Sequence, residues 1–123
     1  MIKSILLVGL GGAIGSILRF LIGLGIKQII STSFPFATFI INIIGCLLIG
    51  ILYGISEKNN LGNSALNYLL IIGFCGGFTT FSTFANENYN LFQQSTTLIP
   101  LLYILGSVIL GILAVKLGYK IIL

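Results

Sequence analysis

Eight charged residues are the only charged breaks in an otherwise apolar chain of 123, and their spacing decides what it can become. None falls within 4–18, 28–56, 59–86 or 88–115, and the first run continues past Arg19 as apolar sequence to Ile26. About 20 apolar residues at ~1.5 Å each cross a bilayer core. Four spanning helices are therefore predicted within a single transmembrane domain, 1–123, at about 4–27, 34–56, 65–92 and 97–121. Hydrophobic residues make up 57% and charged residues 7%, against roughly 25% charged in soluble domains. The fold class is an all-α integral membrane protein, and a soluble enzyme is excluded. Lys3 and the apolar run behind it resemble a signal peptide, but no A-x-A site follows and Arg19 interrupts the segment late. A retained helix is expected.

What is missing narrows the chemistry further. With no His, and with Glu57 and Glu87 the only acids, there are no imidazole bases, His metal sites or Ser-His-Asp triads. No enzymatic activity is expected. Cys46 and Cys75 sit singly in apolar runs without C-x-x-C spacing, as small packing residues do. The net charge of +4 comes from six scattered cations. A nucleic-acid partner needs a basic stripe, and there is none.

Turn chemistry marks the connections. Ser31-Thr32-Ser33 before Pro35 predicts a hydroxyl-capped second helix with proline in its first turn. Glu57 through Asn63 is the most polar loop, and Gln93-Gln94-Ser95-Thr96-Thr97 precedes the last helix. Lys3, Lys58, Lys116 and Lys120 fall to one side of the membrane, Arg19 and Lys27 to the other. So weak an orientation bias allows insertion both ways up, and hence an antiparallel dimer.

Residues four apart share a helix face. Gly11, Gly15, Arg19, Gly23 and Lys27 form one such line, and Thr38, Asn42, Cys46, Gly50 and Gly54 a second. Tyr103, Ser107 and Gly111 form a third. Small-xxx-small faces let helix backbones approach closely in membranes, and packing explains the glycines. Asn42 is different, because an amide at membrane depth is costly unless paired; it can line a path for a permeant species. Arg19, inside the first span, either snorkels to the interface or draws anions to a pore mouth.

The third span is the most informative. Residues 73–84, GFCGGFTTFSTF, carry no charge but pair glycines with β-branched and hydroxyl residues, so the helix is predicted to break near Gly76–Phe81. Unwound backbone in a membrane must be satisfied by protein, water or an ion. Without a carboxylate nearby, a Na⁺-like site of carbonyls is the natural expectation. Phe81 and Phe84 share a face beside the break; the edges of their rings carry partial positive charge that a small anion can meet.

Gly11-Gly12-x-x-Gly15-x-x-x-Arg19, Pro35-x-x-Thr38-x-x-x-Asn42-x-x-Gly45 and Gly76-Gly77-x-Thr79-Thr80-Phe81-Ser82-Thr83-Phe84 together strongly resemble the Fluc (CrcB-type) fluoride channels. The resemblance implies a passive, fluoride-selective channel of the plasma (inner) membrane, built as an antiparallel dual-topology homodimer with two pores and a central structural Na⁺. Phe81 and Phe84 would be the pore phenylalanines, Asn42 a hydrogen-bond donor to fluoride, and Thr38 its neighbour one turn away. Ser82, Thr83, Tyr103 and Ser107 would form a polar track. Gly76 and Thr79 would offer carbonyls to Na⁺, with Arg19 and Glu87 near the aqueous entrance. Phe20, Ala37 and Gly111 depart from the usual pattern.

Two rivals differ in kind. A four-helix proton-coupled multidrug exporter needs a titratable group inside the membrane. The first span has no acid, and Glu87, five residues from the end of its span, is expected at the interface. A non-transporting scaffold assembled through glycine faces predicts no flux at all.

Overall fold

A computed structural model describes residues 1–94 and 96–123. Four helical stretches are long and apolar enough to cross a membrane: Ile2–Ile29, Phe36–Lys58, Asn67–Phe92 and Leu98–Ile122. No strand occurs among the described residues. The first helix runs two residues longer at each end than the charge pattern suggests, because Lys3 and Lys27 lie within its terminal turns. Part of the last connection, Ser95, lies outside the described residues.

The second helix starts differently from expectation. Pro35 is itself the N-cap, and no side chain caps the helix. The Thr32 hydroxyl instead donates to the Phe34 carbonyl at 3.5 Å. Proline has no N–H to satisfy and a fixed φ, so it can open a helix without a hydroxyl. At the other end, Asn60 takes a left-handed φ of 53°, which Asn tolerates better than most residues. The Leu61 N–H then closes onto the Ser56 carbonyl at 2.8 Å.

Helices in lipid gain nothing from hiding apolar side chains from one another, so close backbone contact has to hold them. The glycine lines do this in two seams. Along the first, a Cβ on Gly11 would strike the Leu69 carbonyl, and one on Gly15 the Phe74 carbonyl. Along the second, a Cβ on Gly50 would strike the Val115 carbonyl, while one on Gly118 would meet the Leu47 carbonyl. The first span thus packs on the beginning of the third, and the second on the fourth.

The third span is not uniform. Asn67–Cys75 is wound as a π-helix, and one α-helical turn, Gly76–Phe78, follows. Thr79 (φ −84°, ψ 160°) and Thr80 (φ −149°, ψ 122°) are extended, and the chain is helical again over Phe81–Phe92. The paired glycines are helical, and their smallness serves packing. A Cβ on Gly77 would run into the Gly12 carbonyl, and the Ser16 hydroxyl donates to the Gly77 carbonyl at 3.4 Å. The extended residues are the β-branched threonines just beyond them.

Candidate functional site

The extended pair is held from the second helix. The Thr80 N–H donates to Asn42 Oδ1 at 2.9 Å, and Asn42 Nδ2 donates to the Thr80 carbonyl at 3.1 Å. One carboxamide therefore satisfies both backbone groups of Thr80, as a neighbouring strand would. The Thr80 hydroxyl accepts from the Thr83 N–H at 3.3 Å, capping the helix that begins at Phe81. Its own proton goes to the Thr83 hydroxyl at 3.1 Å. On the other side of the break, the Thr79 N–H and hydroxyl both donate to the Cys75 carbonyl, at 3.0 and 2.9 Å. The Thr80 and Thr83 N–H groups, which a continuous helix would give to the carbonyls of Gly76 and Thr79, are thus both taken by side chains.

Two cavities flank this clamp. One, of about 310 Å³, is lined by Asn42, Cys46, Thr79, Phe81, Phe84 and Ser107 among others. The Phe81 and Phe84 rings stand 5.8 Å apart, centroid to centroid. The Ser107 hydroxyl is buried with no partner among the described residues. Asn42 has a second N–H beyond the one given to Thr80. Two donors and two aromatic rings thus share a mostly apolar cavity. The other, of about 300 Å³, is lined by Ser16, Arg19, Lys27, Thr38, Thr83 and Glu87 among others, and Thr80 borders both.

Glu87 is tied to two other helices. Thr38 donates to its Oε2 at 2.8 Å and the Tyr103 hydroxyl to its Oε1 at 3.0 Å. It is half-buried and joins the second, third and fourth spans. A carboxylate inside a helix bundle needs such donors, since desolvation penalises it otherwise. Tyr103 is 1% exposed. Its ring meets Phe84 at 4.9 Å and 70°, and Phe34 at 5.1 Å and 65°, both edge-on.

Most residues singled out in the sequence meet around these two cavities, with Tyr103 joined to them through Phe84 and Glu87. Ser82 does not: it is exposed and lines neither. Cys46 is part of the cavity lining, whereas Cys75 is buried packing. Lys27 was not singled out as a site residue, yet it lines both the cavity beside Glu87 and a wider one of about 500 Å³ with Ser31, Asn90 and Gln94. Its i+8 spacing from Arg19 was the available signal. Nothing in the sequence pairs Asn42 with Thr80, because that contact joins residues 38 apart.

A family model described as "CrcB-like protein, Camphor Resistance (CrcB)" matches residues 6–119. The chain belongs to this family. It is 50% identical over 116 residues to the "Fluoride-specific ion channel FluC" of Flavobacterium psychrophilum, covering 94% of each chain. It is also 50% identical over 119 residues to the protein of the same name from Azobacteroides pseudotrichonymphae, covering 97% of this chain and 95% of that one. The "Fluoride-specific ion channel FluC 2" of Clostridium acetobutylicum is 46% identical over 112 residues, with 91% and 92% covered.

Proposed function

We propose that this CrcB-family chain is a multi-pass channel of the plasma (inner) membrane that lets fluoride leave the cell passively, and that it carries out no enzymatic reaction. The names of its relatives support the ion. The observation that carries the reading is the lining of the 310 Å³ cavity: the Phe81 and Phe84 rings, the unpartnered Ser107 hydroxyl and the spare N–H of Asn42. Fluoride is small and strongly hydrated, so a path must replace its water with donors. Hydroxyl and amide hydrogens do so directly, and ring edges supply partial positive charge where no water fits. Arg19 and Lys27 raise the local anion concentration beside Glu87. The Thr38–Glu87–Tyr103 cluster fixes Tyr103 against Phe84 and so orders one wall of the path.

We infer further that two copies pair in opposite orientations, forming two pores around one structural Na⁺. The weak bias in cation placement and the 78% exposure of Phe81 in the single chain support this pairing. The donor set suits the ion. Gly76 and Thr79 each offer a hard carbonyl oxygen whose helical donor four residues on is diverted to a side chain, and Na⁺ in membranes takes such unwound carbonyls. Bound there, the ion would supply positive charge and a tie between copies.

Proteoliposomes carrying fluoride test the reading. Efflux should persist when a protonophore collapses any pH gradient, and should fall at least about tenfold in Phe81→Ile and Phe84→Ile with dimerisation intact. Efflux that stops without a pH gradient would indicate a coupled exporter. Unchanged efflux in both variants would remove the phenylalanines from the path.

A further inference from the structure

We propose that Asn42 is a positioning residue for the cation site, a role separate from any contact with the permeating anion. The inference rests on the reading that Gly76 and Thr79 bind Na⁺. In an uninterrupted α-helix the Thr80 N–H would donate to the Gly76 carbonyl and the Thr83 N–H to the Thr79 carbonyl, four residues back in each case. Neither bond is made. Asn42 Oδ1 takes the Thr80 N–H at 2.9 Å, and the Thr80 hydroxyl takes the Thr83 N–H at 3.3 Å. Asn42 Nδ2 adds a second hold on the same residue, at the Thr80 carbonyl. The two carbonyls that suit a cation are those from which these side chains divert the helical donors.

Removal of the carboxamide changes the balance. The Thr80 N–H would lose its partner in a medium where an unpaired donor is costly. Its nearest acceptor along the chain is the Gly76 carbonyl, reached by turning Thr79 from ψ 160° to about −42°. That rotation rewinds the span and withdraws a ligand oxygen from the ion. The Thr80 hydroxyl acts in the same direction on the Thr79 carbonyl, through a single bond.

The test reads Na⁺ binding rather than flux. Purified full-length protein is melted across a NaCl series, with N-methylglucamine chloride holding ionic strength constant. A ligand that binds only the folded state raises the melting temperature by mass action. The Na⁺ dissociation constant fitted from that rise should increase at least about tenfold in Asn42→Ala, the scale of one lost hydrogen bond. A smaller increase is expected in Thr80→Val, which supplies the same comparison should Asn42→Ala fail to fold. Lys120→Gln, an exposed change in the last turn of the final helix, should keep the wild-type constant. Wild-type and Asn42→Ala constants that coincide would overturn the positioning role and leave the cation site standing. A wild-type protein whose melting ignores Na⁺ would remove the cation site, and the proposal with it.

Discussion

Replacing Tyr103 with Phe deletes one hydroxyl and keeps the ring that meets Phe34, Phe39 and Phe84. The lost bond runs to a carboxylate oxygen at 3.0 Å. A bond to a charged group contributes about 1.5–3 kcal/mol in soluble folds. Interhelical bonds in membranes average ~0.6 and reach ~1.7 kcal/mol, because the unfolded chain in lipid also finds partners. The membrane figure governs here, so the expected loss is about 1–1.5 kcal/mol, read from unfolding by SDS in mixed micelles. Thr38→Val removes the other donor, at 2.8 Å, for a similar cost. Either single variant leaves Glu87 one of these two partners; the double variant leaves neither. The double should therefore exceed the sum of the singles by roughly 0.5–1 kcal/mol. Tyr103→Ala, which also opens a cavity, should cost about 3–5 kcal/mol. A double variant equal to the sum within about 0.3 kcal/mol would refute a shared acceptor.

Gly15→Ala should lower stability by at least about 2 kcal/mol in the same assay, since its methyl falls on the Phe74 carbonyl and forces two spans apart. Gly111→Ser should fold within about 1 kcal/mol of wild type, because the nearest atom to a new Cβ is Cys46 Sγ at 3.4 Å. Neutralising both cavity-lining cations, as Arg19→Gln with Lys27→Gln, should slow fluoride flux most at low ionic strength. The deficit should shrink as the screening length falls from ~30 Å at 0.01 M salt to ~10 Å at 0.1 M. A deficit independent of salt would point to a steric cause.

The spans were legible because eight charges in 123 residues leave few ways to divide the chain. Gly11, Gly15 and Gly50 were legible in lines at i+4 and each meets backbone of a neighbouring span, whereas Gly118 stood in none of those lines. The break in the third span was legible from the composition of residues 73–84, although Gly76 and Gly77 stay helical and the extended pair is Thr79–Thr80. Two features were hidden for the same physical reason. The distance of Glu87 along its span says nothing of its partners, which are Thr38 and Tyr103 on other helices. Asn42 reads as a donor to a permeant anion, and the use of its oxygen and one of its N–H groups by Thr80 is invisible in the sequence because the two residues lie 38 apart. A start by Pro35 without a hydroxyl cap was likewise beyond a local reading of Ser31–Ser33, since the serines satisfied the pattern but not the geometry.

Halide release from vesicles separates a fluoride path from an inert protein and from a general leak. Fluoride and chloride should be recorded by ion electrodes from the same liposomes, with valinomycin clamping the potential and protein-free vesicles alongside. Wild-type protein should release fluoride far faster than empty vesicles while chloride stays at their leak rate. Equal release of both halides would contradict selection by this lining, and fluoride release no faster than from empty vesicles would contradict the channel itself.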